Sequence, residues 1–254
     1  MIKQGHFRTA FAGLILALLL SACSGNYHLT KSRVSYLNMV DSSSDASSSL
    51  ASLIAPYKQK IDSQMSIPLA RVEVELQKAQ PEGTLGNMVA DVLMAYCVRT
   101  KGFEANFCVL NHGGLRLPVI YPGEITRGMV FELMPFENEL VALRMKGSDC
   151  RELFQVILAQ NGAPVSGLKL KGNAKKLIEA KIKNTPLDDN ASYWVITSDY
   201  LANGGDNMSV FKKAQERYSL EVKLRDALMT ELGTMGQLGV PVYSIKEGRI
   251  TIEN

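Results

Sequence analysis

Histidine is scarce in this chain of 254 residues, which contains only His6, His28 and His112. A two-metal hydrolytic site draws several His and Asp ligands into one cleft, and three histidines, one of them in a segment that we expect to be cleaved off, cannot supply such a set. No Ser-His-Asp or Cys-His arrangement is recognisable either. The sequence therefore predicts no catalytic residue and no metal ligand.

The chain also lacks a large excess of charge of one sign, because its 28 Lys and Arg residues are nearly balanced by 25 Asp and Glu residues. A net charge of +3 gives no basis for nucleic-acid binding. The four cysteines are Cys23, Cys97, Cys108 and Cys150, and their spacing fits no zinc pattern. Cys97 and Cys108 are compatible with a disulfide in an oxidising compartment and equally with buried free thiols.

Residues 1–22 have the pattern of a secretion signal: basic residues followed by an apolar run over residues 11–20 that is too short to span a bilayer. The Leu-Ser-Ala-Cys sequence that ends at Cys23 resembles the lipobox of bacterial lipoproteins, which predicts cleavage before Cys23 and its lipidation. The alternative is an ordinary secretory signal that leaves Cys23 unmodified. Because Ser24 is not an Asp retention signal, we expect a lipid-anchored protein of the bacterial cell envelope, in the outer membrane.

The rest of the chain divides into a tether over residues 23–45 and one domain over residues 46–254. Apolar residues at three- and four-residue steps predict helices over residues 50–65, 85–97 and 220–232, with a short helix capped by Thr126 and another opened by Gly147. Strands are predicted within residues 26–40 and over 105–110, 138–146, 167–182, 192–197 and 249–252. Strands and helices mixed in this way, without a strict βαβ rhythm, predict an α+β fold.

Three loops combine residues suited to a flat polar ligand. Asn111 and two glycines follow a predicted buried strand, and Arg116 adds a planar cation suited to a phosphate or carboxylate. Phe136 follows a proline and is interpreted either as a core residue or as a ring that projects into a cleft. Tyr200 and Asp206 flank a third glycine-rich loop. Two aromatic rings on separate loops are able to sandwich a base, and Asp206 is either a ribose acceptor or a turn residue.

Several motifs occur in order along the chain: Leu85-Gly86-Asn87 with Ala90-Asp91, Asn111-x-Gly-Gly-x-Arg116, Gly123-x-Ile-Thr126, Pro135-Phe136-x-Asn138, Lys146-Gly147 and Leu201-Ala-Asn-Gly-Gly-Asp206. Together they resemble the C-terminal, nucleotide-binding domain of the 5′-nucleotidases over residues 50–252. The resemblance implies a compact domain with layers in the order α/β/β/α.

The resemblance also implies roles for single residues. Asn111 is expected to contact the base, Arg116 the phosphate, and Asp206 the ribose hydroxyls. Phe136 and Tyr200 are expected to hold the base between them, with Tyr200 standing where the family usually has Phe.

The sequence departs from the family at three places. His112 stands where Gly is usual, either as a new ligand contact or as a tolerated turn residue. Asn207 also replaces a Gly, and residues 78–81 lack an Arg found in several members, which predicts weaker phosphate binding. The Asn-His-Glu and Gly-His-x-His motifs of the family's metallophosphatase half do not occur.

Two hypotheses follow. In the first, the chain is the substrate-binding half of a 5′-nucleotidase: it binds a nucleotide, carries no cofactor itself, and is inactive until a separate metallophosphatase supplies the divalent metals. In the second, it is a non-catalytic lipoprotein that binds nucleosides or nucleotides.

Overall fold

The computed structural model describes residues 45–253, with side chains from residue 50 onward. Contacts divide the chain into Met1–Leu50 and Ala51–Asn254, and the second unit contains every site discussed below. Its helices are α1 (Asp45–Met65, which begins in the first unit), α2 (Thr84–Lys101), α3 (Arg127–Leu133), α4 (Gly147–Ala159), α5 (Asp199–Ala202) and α6 (Leu224–Gln237). Its strands are β1 (Pro68–Val72), β2 (Leu76–Gln77), β3 (Phe107–Val109), β4 (Val119–Ile120), β5 (Gly123–Thr126), β6 (Glu139–Lys146), β7 (Val165–Ser166), β8 (Leu168–Gly172), β9 (Leu177–Ile182), β10 (Thr185–Pro186), β11 (Ser192–Ser198), β12 (Glu216–Lys223) and β13 (Ile250–Ile252).

A five-stranded sheet in the order β12-β6-β11-β3-β7 forms the centre of the domain. Strand β11, which contains the β-prone run Tyr-Trp-Val-Ile, pairs along its whole length with β6, from Ser192 opposite Lys146 to Ser198 opposite Leu140. On its other edge β11 runs parallel to β3. Because β3 and β11 are parallel neighbours, their C-terminal ends reach the same edge of the sheet.

Each face of this sheet is covered by its own apolar core. Ala142 and Ile196 point to the face covered by α2 and α6, whereas Val141 and Val195 point to the opposite face, covered by α4. Neighbouring residues alternate in this way because side chains of a strand point to opposite faces. Both faces are therefore buried, which fixes the register of the strands.

A second sheet in the order β10-β9-β8-β13 joins α4 on one side of the central sheet, with Leu168, Leu170 and Ile182 in the shared core. Two-stranded sheets β1-β5 and β2-β4 complete the domain. The α+β class and the layered arrangement of helices and sheets predicted from the sequence are confirmed.

Within the described residues, the predicted helices and strands agree with the structure except at one boundary. Thr126 caps α3 by accepting a hydrogen bond from the amide of Met129, and Gly147 opens α4. The prediction that Leu220 belongs to the last helix is wrong, because it lies in β12, and α6 begins at Leu224. The four-residue spacing of the leucines simply continues from the end of β12, where the pairing with β6 shifts register between Ser219 and Lys223, into α6.

Cysteine chemistry is settled for three of the four residues. Cys97, Cys108 and Cys150 are buried free thiols, so the disulfide alternative is wrong. Burial raises the pKa of Cys97 and of Cys150 to about 12, which suppresses the reactive thiolate.

Cys23, the predicted strand within residues 26–40 and the tether lie outside the described residues. Within residues 45–253, no helix is both long and apolar enough to cross a membrane.

Helix α1 is present as predicted, but its apolar face is not part of the core. Leu53 is 65% exposed, Ile54 48%, Tyr57 69% and Ile61 56%. Periodic spacing in the sequence indicates a helix with one apolar face. It does not reveal what covers that face.

Candidate functional site

The first loop of the site leaves the C-terminal end of β3. Asn111 is extended and is followed by a short 3-10 turn over His112–Gly114. A side chain at position 114 would place its Cβ 2.8 Å from Oδ1 of Asn111, so glycine there allows the Asn111 side chain to lie across the turn. The loop thereby presents an amide group at the edge of the sheet.

The second loop leaves β11 at the same edge. Ser198 caps the short helix α5 by accepting a hydrogen bond from the amide of Leu201, and Gly204 then turns the chain with a φ of 87°. The ring of Tyr200 lies directly on Gly205, because a Cβ there would be 2.4 Å from its Cε1 and Cζ. Glycine is therefore required at position 205 for the ring to occupy this place.

The third loop connects α3 to β6 and contains Phe136. Its ring is 44% exposed, and that of Tyr200 is 43% exposed. Neither ring belongs to the apolar cores, so Phe136 is not the core residue that one interpretation of the sequence allowed. Both rings are half-buried at the surface, as rings that stack on a ligand have to be.

The three loops enclose a cavity of about 300 Å³. This volume lies at the lower end of the range for small-molecule sites. Four of the five predicted binding residues line it, and the complete lining is Asn111, Gly113, Gly114, Phe136, Asn138, Tyr200 and Asp206. Phe136 and Tyr200 thus belong to one cavity although 63 positions of sequence separate them.

Asp206 is the charged residue of this cavity and is held at three points. Its Oδ1 accepts a hydrogen bond from the Tyr200 hydroxyl at 2.7 Å, and its Oδ2 accepts one from Nδ2 of Asn111 at 2.6 Å. Nε2 of Gln160 donates to its backbone carbonyl at 2.7 Å. The bond to Asp206 raises the pKa of Tyr200, since ionising the phenol would place two negative charges together.

Arg116 lies at the rim rather than in the wall. Its side chain is exposed, and its guanidinium carbon lies 6.0 Å from the centre of the Phe136 ring. A permanent, planar cation in this place is suited to a phosphate or a carboxylate.

A second cavity of about 260 Å³ shares Asn111, Gly113 and Asp206 with the first. His112 lines it, and burial together with the charge of Lys78 lowers the pKa of His112 to about 4. The imidazole is therefore neutral at pH 7, with its buried Nε2 unpaired among the described residues. His112 lines this second cavity and is not part of the lining of the first.

Two residues of the site were not among the predicted binding residues. Asn138 lines the first cavity, although the sequence marked it only as part of a motif. Gln160 at the end of α4 supports Asp206, and nothing in the local sequence indicates this contact across 46 residues.

Two other motif residues on α2 hold the fold together. Nδ2 of Asn87 donates to Glu82 and to the carbonyl of Ile245. Asp91 receives two hydrogen bonds from Arg249, at 2.8 and 2.7 Å. Both residues attach the C-terminal segment to α2, which gives these motif positions a structural role.

The arrangement has the parts needed for binding: two aromatic faces, one oriented carboxylate and a rim cation. Among residues 45–253, no group of three or more His, Cys, Asp or Glu side chains is arranged to hold a metal ion.

Comparison with known proteins gives a consistent result. The family described as "5'-nucleotidase, C-terminal domain" matches residues 66–213. The chain is 27% identical to an apyrase of Aedes aegypti, covering 65% of this chain and 33% of the apyrase. It is 30% identical to protein UshA of Yersinia enterocolitica, covering 62% and 29% of the two chains. The crystal structure of a 5′-nucleotidase precursor from Thermus thermophilus matches with a TM-score of 0.69 at 28% identity, over 80% of this chain and 43% of that one.

Proposed function

Because this chain belongs to the 5′-nucleotidase C-terminal domain family, we propose that it is the substrate-binding part of a 5′-nucleotidase. It holds the base between Phe136 and Tyr200, the ribose at Asp206 and the phosphate at Arg116. The observation that supports this assignment most strongly is that both rings and the carboxylate line one cavity. Hydrolysis is supplied by a metallophosphatase on a separate polypeptide, and lipidation of Cys23 anchors the chain in the outer membrane.

The ligand follows from the chemistry of the lining. Aromatic rings stack on any heterocycle with a π face, at about 1–3 kcal/mol per base. A carboxylate accepts hydrogen bonds from sugar hydroxyls, and the Arg116 guanidinium suits a phosphate. A nucleoside 5′-monophosphate combines these three groups in one molecule.

The exposed face of α1 supports a protein partner. Ile54, Tyr57 and Ile61 are spaced i, i+3 and i+7, with Leu53 beside them, which is the pattern of a helix that docks into an apolar groove. The stripe extends over about two heptads, fewer than the three or four that a coiled coil with a second copy requires. Helix α1 also ends directly before residue 66, where the family match begins. We therefore assign this stripe to the interface with the metallophosphatase.

Phosphate release from AMP tests whether hydrolysis requires a second polypeptide. With Mg²⁺ or Mn²⁺, we expect the purified chain alone to release no phosphate, and a mixture with the metallophosphatase to release it. A metal-dependent activity of the isolated chain would contradict the proposal. Nucleoside binding without activity in any mixture would favour the alternative of a non-catalytic binding lipoprotein.

Affinity capture from the producing organism's envelope extract tests the α1 interface. The full chain should capture an activity that releases phosphate from AMP, and the double variant Leu53→Ser with Ile54→Ser should lose it. Gln59→Ser, on the opposite side of the same helix, is the matched control and should retain it. Equal activity captured by all three proteins would rule out α1 as the interface.

A further inference from the structure

The Asp206 carboxylate is oriented before any ligand arrives. One carboxylate oxygen accepts a hydrogen bond from the Tyr200 hydroxyl, and the other accepts one from the side-chain amide of Asn111. The backbone of Asp206 is also fixed, with φ 50° and ψ 39° in the left-handed region and its carbonyl bonded to Gln160. A surface carboxylate with this many contacts has lost most of its rotational freedom.

The number of acceptor sites left on Asp206 matches a diol. A carboxylate has about four lone-pair sites, and Tyr200 and Asn111 occupy two of them. Asp206 is exposed and lines the cavity, so two sites are left for a ligand. The neighbouring 2′- and 3′-hydroxyls of a ribose supply two donors on adjacent carbons.

We propose that the Tyr200 hydroxyl and the Asn111 amide are positioning groups, which orient the Asp206 carboxylate so that it meets a ribose diol without having to be ordered by the ligand. This inference rests on the proposed function, which already places the ribose at Asp206, and adds the two residues that hold the carboxylate there. Tyr200 then has two separable roles, since its ring stacks on the base while its hydroxyl orients the carboxylate. Gly205 keeps the ring where both are possible.

The variant Tyr200→Phe separates the two roles, because it keeps the ring and removes the hydroxyl. Without the hydroxyl, Asp206 has to be ordered when the ligand binds. The cost of immobilising one side chain corresponds to about a three- to tenfold weaker Kd. A ligand without a 2′- or 3′-hydroxyl does not use Asp206 and should bind wild type and variant equally.

Titration calorimetry on the full chain provides the measurement. Adenosine, guanosine, cytidine and uridine are titrated first, and the tightest binder is compared with its 2′-deoxy and 2′,3′-dideoxy forms. Wild type should prefer the ribonucleoside to the dideoxy form by at least about tenfold, as expected for hydrogen bonds to a charged acceptor. Tyr200→Phe should weaken ribonucleoside binding and leave dideoxynucleoside binding unchanged.

Two controls distinguish a positioning role from general damage. Tyr218 also donates its hydroxyl to a carboxylate, that of Glu216, but does not line the cavity, so Tyr218→Phe should change neither affinity. In an Asp206→Ala background, Tyr200→Phe should have no further effect, because the hydroxyl acts through the carboxylate.

The possible outcomes separate this inference from the proposed function. Binding of ribonucleosides and dideoxynucleosides with equal affinity would overturn the inference and leave nucleotide binding intact. An equal loss for both ligands in Tyr200→Phe would also overturn it. If no nucleoside binds to wild type, the proposed function fails and the inference fails with it.

Discussion

Replacing Phe136 by alanine separates binding from folding, because its ring is available to a ligand and contributes little to the core. The ring is 44% exposed. Its described partner outside the cavity is the Arg116 guanidinium at 6.0 Å, a contact of about 0.5–1 kcal/mol at an exposed site. We therefore expect Phe136→Ala to lower the free energy of unfolding by about 1 kcal/mol, well below the 3–5 kcal/mol typical of a buried Phe.

Binding should change much more than stability. Loss of one stacking ring removes about 1–3 kcal/mol of base binding, which corresponds to about a five- to 150-fold weaker Kd. Calorimetry with the tightest-binding nucleoside measures the affinity, and urea unfolding measures the stability. Tyr121→Ala is the control, because Tyr121 is exposed and does not line the cavity. An unchanged Kd for Phe136→Ala alongside a large loss of stability would show that the ring serves the fold.

Four further substitutions, one of them a control, test other parts of the account. Gly205→Ala should weaken nucleoside binding by displacing the neighbouring tyrosine ring, whereas Gly233→Ala, where a Cβ meets open space in α6, should keep the affinity and raise the unfolding free energy by about 1 kcal/mol. Asp91→Ala should lower the unfolding free energy by about 1–3 kcal/mol through its bonds to Arg249, with the Kd unchanged; a lost affinity would contradict its structural role. His112 has a pKa lowered to about 4 in the fold, so the unfolded chain binds the proton first and stability should fall as the pH drops from about 6.5 to 4. The loss is of the order of 1 kcal/mol after allowance for solvent screening of this partly exposed group, and urea unfolding of His112→Asn should show a shallower pH dependence than wild type.

The sequence predicted the parts of this molecule that follow from local patterns. Strand β6, strand β11 and the Thr126 cap of α3 were predictable because alternation and capping depend on neighbouring residues. The boundary at Leu220 was missed because a strand and a following helix happen to continue the same leucine spacing. A periodic stripe does not reveal whether another surface covers it, so the exposure of the apolar face of α1 required the structure.

In the candidate site, too, some features were predictable from the sequence and others required the structure. The resemblance to the family's motifs predicted that Asn111, Phe136, Tyr200 and Asp206 bind one ligand, whereas the parallel pairing of β3 with β11, which brings two of the loops to one edge, came from the structure. The hydrogen bonds from Tyr200 and Gln160 to Asp206 depend on the conformation of one left-handed residue. Contacts of this kind are not recorded in the spacing of a single sequence, and they give Tyr200 a role that its aromatic character alone did not indicate.

A crystal structure of this chain with a bound nucleoside is the most direct measurement. The account predicts that the heterocycle lies between the rings of Phe136 and Tyr200, with the ribose hydroxyls on Asp206. A nucleoside bound elsewhere, with the two rings in contact with solvent as in the ligand-free chain, would contradict it.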